Sequence, residues 1–104
     1  MAAKEPAFSQ QALKDLEEIG SFISERTSLE IALRLVDELR ASMRKLATMP
    51  GMGRKREEFT SDKSLLFWVA HKHYLVVYHP DKDPIEIVRI LHTSRYVPSV
   101  FEED

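Results

Sequence analysis

The hydrophobic period of this chain changes once, and that change restricts the fold to helices first and strands after them. Ala12, Leu13, Leu16, Ile19 and Ile23 recur at spacings of three and four along one helical face. Ser9 stands at the N-cap position before them, which predicts a first helix over residues 10–25. Thr27 and Glu30 have the spacing of a capping box, so a second helix is expected to start beside Ser28 after a tight turn. Its stripe is Leu29, Ala32, Val36, Leu39, Met43 and Leu46, widened by Ile31, Leu35 and Met49, and Pro50 with Gly51 and Gly53 ends it. These segments predict a helical hairpin.

After a basic, polar stretch over residues 54–63 the pattern becomes LLFWVA, YLVVYH and IEIVRIL, short blocks rich in β-branched and aromatic residues. His71-Lys72-His73 and Pro80-Asp81-Lys82-Asp83-Pro84 fall where hairpin turns belong, so the blocks are expected to form an antiparallel meander. Residues 6–8 are a candidate short edge strand. The expected fold is α+β, an N-terminal helical hairpin packed on a three- to four-stranded antiparallel sheet, with all 104 residues in one domain. In the first block Leu65, Phe67 and Val69 share one face while Leu66, Trp68 and Ala70 share the other, so both faces need cover. The hairpin covers one, which leaves Trp68 and its neighbours for a chain terminus or a partner protein.

Several function classes drop out on composition. Without cysteine there is no disulfide framework, thiolate metal site or cysteine nucleophile, which fits a reducing compartment. The longest apolar run, residues 65–70, is too short to span a bilayer, and the N-terminal residues lack a signal-peptide core. A soluble cytoplasmic protein without a membrane partner is expected. A net charge of -2 argues against wrapping nucleic acid by bulk charge, so independent nucleic-acid binding is not expected and any such role needs a local patch. No serine sits in a nucleophile-elbow setting and no Gly-rich loop precedes a helix, so neither a hydrolase centre nor a bound cofactor is expected.

Four groups of residues remain as candidates. Arg54-Lys55-Arg56 can contact phosphate or an acidic partner, and reads equally as a solvated loop. His71, His73, His79 and His92 have no carboxylate or cysteine at ligand spacing, so no metal site is expected. In LHTSR, His92 beside Arg95 can handle a proton and a phosphate; alternatively Arg95 pairs with an acid and His92 caps the sheet edge. Met43, Met49 and Met52 suit an adaptable groove for a partner helix, although core packing explains Met43 as well.

Three stretches taken together, AFSQQALKDLEEIGSFISERTSLEIA, LATMPGMGRKREE and YLVVYHPDKDPIEIVRILHTSR, resemble the ParE branch of the RelE/ParE type II toxins over nearly the whole chain. The most specific pieces are Asp15-Leu16 with Ile19, Pro50 through Gly53-Arg54, Tyr78 at a strand end, and Leu91-His92 with Arg95. The resemblance implies the same α-hairpin-on-sheet fold and a bacterial, plasmid-stabilising toxin that binds DNA gyrase. It also implies neutralisation by a cognate ParD-like antitoxin.

RelE-like toxins cut mRNA with two lysines on the first meander strand, an arginine after the next turn, another after the last strand and a C-terminal tyrosine. In this chain those positions hold Leu66, Trp68, Leu75, Arg95 and Phe101, so one of the five groups is retained. Many ParE-like chains also carry an acid after the last arginine, where this one has Tyr96. No catalytic residue is expected. Target binding is assigned to Arg54, Arg56, His92 and Arg95, brought together at one rim of the sheet, and antitoxin binding to Leu39, Met43 and Trp68. The alternatives are a ribosome-dependent mRNA endonuclease and a non-toxic antitoxin-binding member of the family.

Overall fold

The computed structural model describes residues 5–94 together with 100 and 101. Helix α1 spans Gln10–Arg26 and helix α2 spans Leu29–Thr48. The Ser9 hydroxyl accepts from the N–H of Ala12 (3.0 Å) and so caps α1 as expected. Between the helices the two polar residues divide the work. Ser28 caps the start of α2, accepting from Ile31 N–H (3.1 Å), while Thr27 closes α1 by donating its N–H and its hydroxyl to Ile23 C=O. The cap of α2 is therefore Ser28, one residue beyond the apparent capping box. A short 3-10 turn over Pro50–Met52 follows α2.

Strands β1 (Ala7–Phe8), β2 (Leu66–Ala70), β3 (Tyr74–His79) and β4 (Glu86–His92) form one sheet in the order β1-β4-β3-β2. The last three are the expected antiparallel meander, but β1 lies parallel to β4, so the four-stranded sheet is mixed. The reason is the connection: the hairpin carries the chain over the sheet before β2 begins, and β1 reaches β4 only as a two-residue edge. Where β1 stops, α1 takes over the exposed backbone of β4. Ser9 donates its hydroxyl to Val88 C=O (2.8 Å), and the Asp15 carboxylate accepts from Ile90 N–H (2.9 Å). A register shift opposite Val77 and Tyr78 accommodates this handover.

Both sheet faces are covered, but not as the sequence suggested. The hairpin lies on the face of Leu66, Trp68 and Ala70, where Leu39, Met43 and Leu46 pack with Val76, Tyr78, Ile87 and Ile90. The opposite face, with Leu65, Phe67, Leu75, Val77 and Leu91, is covered by Phe59 and by Val100 and Phe101 near the C-terminus. Phe67 meets Phe59 and Phe101 at centroid distances of 5.4 and 5.8 Å. The face left for a terminus is thus that of Phe67, not that of Trp68. Strand β3 lies between two neighbours under both layers, which is why Tyr74 through Tyr78 are all buried.

The β2–β3 turn holds His71 at φ 51° and Lys72 at φ 60°. Three residues, His71, Lys72 and His73, join the paired Ala70 and Tyr74, and the two consecutive left-handed ones crowd each Cβ against backbone. Lys72→Gly is therefore expected to stabilise the fold by about 1 kcal/mol, read as a higher denaturation midpoint at unchanged m-value. An unchanged or lower midpoint would show that the turn is unstrained.

Candidate functional site

The basic loop after α2 is built from its flanks inward. Tyr78, fully buried on β3, donates its hydroxyl to Pro50 C=O (2.7 Å) and accepts from Gly53 N–H (2.8 Å). Gly53 lies so close to that ring that a Cβ there would sit 2.6 Å from the hydroxyl oxygen, which explains a glycine at this position. Arg54 then exchanges both backbone hydrogen bonds with Phe67, at 3.0 and 2.9 Å, on the outer edge of β2. The sequence pieces Pro50, Gly53 and Tyr78 are thus one tertiary contact, and its product is a fixed starting point for Arg54-Lys55-Arg56.

The three cations are not equivalent. Arg54 and Lys55 are exposed. Arg56 is half-buried, lies over the Phe59 ring (4.4 Å) and donates Nε–H to Glu58 (2.8 Å). That hydrogen bond, aided by the charges of Arg56 and Arg54, holds the Glu58 carboxyl below its usual range. Arg56 is therefore partly neutralised, and Arg54 with Lys55 presents the accessible positive charge.

His92, at the end of β4, is exposed, with its Nδ1 accepting from the N–H of Ser94 (3.1 Å) and 2.7 Å from the Ser94 hydroxyl. Its ring stacks on His73 (5.9 Å between centroids) and meets the Tyr74 ring edge-on (5.4 Å). His92 and Arg54 do not share a rim. Phe67, which Arg54 brackets, is level with Val77 and Arg89, whereas His92 is level with Tyr74 and Ala70. Three residues along the strands and three strand spacings across separate them, about 10 Å by about 14 Å. A three-strand meander necessarily enters at one end and leaves at the other, which the expectation of a joint patch overlooked. Arg95 and Tyr96 lie outside the described residues.

Two of the three residues assigned to antitoxin binding are core. Leu39 and Met43 are both 0% exposed, pointing from α2 into the sheet, so a partner laid on the free surface does not touch them. Trp68 is half-buried and packs against the helix-side core. Exposed apolar side chains sit instead on the outside of the hairpin, where Leu13, Leu29 and Leu33 flank a groove of about 380 Å³ between the helices.

Sequence reading missed one polar group inside the molecule. Asp15 is 6% exposed and accepts two hydrogen bonds from Arg89, at 2.8 and 3.1 Å, besides the one from Ile90 N–H. The signal was an aspartate on the apolar face of α1, one helical turn from both Ala12 and Ile19, and an arginine inside the apolar block IEIVRIL. Among the described residues no group of three or more His, Asp or Glu side chains is arranged to hold a metal, and no helix is long and apolar enough to cross a membrane.

Of the positions where RNA-cutting relatives place charged or hydroxyl groups, Leu75 and Phe101 pack into the back-face cluster, and Leu66 and Trp68 against the helix-side one. The model of a family described as the ParE toxin of the type II toxin-antitoxin system, parDE, matches residues 7–96. Toxin ParE1 of Caulobacter vibrioides is 30% identical over 86 residues, covering 83% of this chain and 85% of that protein. The fold is shared with a chain of the chromosomal ParDE TA system from P. aeruginosa, at a TM-score of 0.70 and 17% identity. That match covers 86% of this chain and 96% of the other.

Proposed function

This chain belongs to the ParE toxin family of type II toxin-antitoxin systems, and from that membership we propose that it inhibits DNA gyrase by binding rather than by catalysis. A cognate ParD-like antitoxin neutralises it in this reading. The observation that carries the non-catalytic part is the filling of the RNA-cutting positions: Leu66, Trp68, Leu75 and Phe101 serve the two hydrophobic clusters. None of these side chains can neutralise a phosphate or transfer a proton, so the groups that accelerate cleavage of an RNA backbone are missing there.

Target contact is assigned to the exposed cations of the loop, Arg54 and Lys55, with Arg56 behind them. Their partners are phosphates of the gyrase-bound DNA or acidic gyrase surface. His92 is assigned to a second contact, together with Arg95, since His92 lies at the other end of the sheet from the loop. On the antitoxin side, Trp68 remains an assigned contact, while Leu39 and Met43 support the fold beneath it.

Induction of the chain in a bacterial host separates the readings. Filamentation with an SOS response and gyrase-dependent DNA breaks is the expected result, with mRNA left intact. Immediate translation arrest with mRNA cut at ribosomal A-site codons would overturn the gyrase reading in favour of an endonuclease. Normal growth with a folded protein would leave an antitoxin-binding module without toxicity.

A further inference from the structure

We infer that the hydroxyl of Tyr78 is a positioning group for the cation loop: it holds residues 50–54 in the one arrangement that presents Arg54 and Lys55 to the target. The inference rests on the reading that this loop meets gyrase. Its basis is a mismatch between how firmly the loop is held and how little of it is packed. The 3-10 turn Pro50–Met52 has no fully buried residue: Met52 is half-buried against the helix-side core, while Gly51, Arg54 and Lys55 are exposed, so that one apolar contact does not by itself select a single conformation for this segment. Polar contacts do. The Tyr78 hydroxyl joins the two ends of the turn, Pro50 C=O and Gly53 N–H, and the very next residue is locked to Phe67 by two backbone hydrogen bonds.

The tyrosine ring and the hydroxyl have separable roles. The ring belongs to the helix-side core, where it is fully buried with Val76 and Ile87. A phenylalanine would fill that space equally. The hydroxyl acts only at the core's margin, as donor to one end of the turn and acceptor from the other, which requires the neutral phenol. Burial pushes the Tyr78 hydroxyl above its usual value, while the Gly53 N–H pulls the other way, so the phenol persists across the physiological range. Gly53 completes the device, because only a residue without a Cβ lets the backbone approach the hydroxyl and Phe67 C=O together. A loop released from this clamp still carries its charges, but it must be ordered when it binds, and that ordering weakens the complex.

Purified full-length chain, DNA gyrase and relaxed plasmid supply the test, with inhibition of supercoiling as the readout and thermal melting beside it. Tyr78→Phe and Gly53→Ala perturb the clamp from opposite sides, and each is expected to weaken inhibition about tenfold. Faster exchange of the Gly53 and Arg54 amide protons is expected in both. Arg54→Ala/Lys55→Ala is expected to abolish inhibition. Ile90→Val, a core change of comparable effect on melting temperature, is expected to inhibit like the wild type. Wild-type inhibition by Tyr78→Phe and Gly53→Ala, together with loss in the double variant, overturns the positioning role and leaves the loop as the target site. An equal loss in Ile90→Val also overturns it, because global stability then accounts for the effect. Full inhibition by the double variant, or none by the wild-type chain, overturns the reading of the site and the positioning role with it.

Discussion

Replacing Asp15 by alanine is expected to lower the unfolding free energy by about 3–5 kcal/mol, a large part of what a domain of this size has. The carboxylate is 6% exposed and accepts three hydrogen bonds, two from the Arg89 guanidinium and one from Ile90 N–H. Alanine removes all three at once. The Arg89 side chain, itself only 16% exposed, then keeps its charge without a partner, and Ile90 N–H loses its acceptor on the edge of β4. The pair also spans 74 residues of sequence, so it is one of the ties that dock α1 on the strand laid down last. Urea denaturation of Asp15→Ala against the wild type measures this. A loss below about 1 kcal/mol would place the pair among weak surface ion pairs and would leave β4 held by packing alone.

Leu39→Ala is expected to destabilise by about 2–5 kcal/mol, the range for truncating a fully buried leucine whose surroundings relax only in part. Leu39 is 0% exposed and belongs to the helix-side cluster. The same substitution tests whether this residue is core or interface. In a variant still folded at low temperature, affinity for the cognate antitoxin is expected to stay within about threefold of wild type, because the side chain does not reach the surface. Trp68→Ala, titrated in parallel, is expected to weaken that affinity by much more than it lowers stability, since Trp68 is half-buried and contributes a large aromatic surface. If Leu39→Ala lost antitoxin affinity at full stability, α2 would have to open to receive its partner. If Trp68→Ala left affinity unchanged, Trp68 would be a core residue only.

The mixed sheet and the split site follow from a common cause. Strand β1 and α1 together line the edge of β4, with Ser9 as the joint: its backbone N–H donates to Ile87 C=O (2.9 Å), its hydroxyl reaches Val88 C=O, and its oxygen caps the helix. One residue thus ends a strand, starts a helix and satisfies the next carbonyl of the neighbouring strand. Fixing α1 in this way sends the hairpin over the face that carries Trp68, and leaves the Phe67 face to Phe59, Val100 and Phe101.

Local chemistry was legible in the sequence, because it depends on neighbours a few positions away. The helical period located α1 to within a residue of its end, Ser9 its cap, Pro50 the end of α2, and the β-branched blocks the three strands of the meander. The resemblance carried by Asp15, Pro50, Gly53 and Tyr78 identified the family, although the roles of those residues were not readable from their positions. Even the separation of Arg54 from His92 was implicit in the strand count, since three antiparallel strands start and finish at opposite ends. Tertiary structure alone decided which sheet face the hairpin covers. Alternation in LLFWVA makes both faces apolar, and the choice is made by contacts between residues far apart in sequence, among them Ser9 with Ile87 and Val88 and Asp15 with Arg89 and Ile90. Burial was likewise undecidable for α2: its apolar stripe is broader than the surface it covers, so Leu39 and Met43 go inside while Leu29, Ile31 and Met49 stay in solvent. A stripe's width follows from the sequence, but which part of it meets the sheet depends on the angle at which the helix is docked.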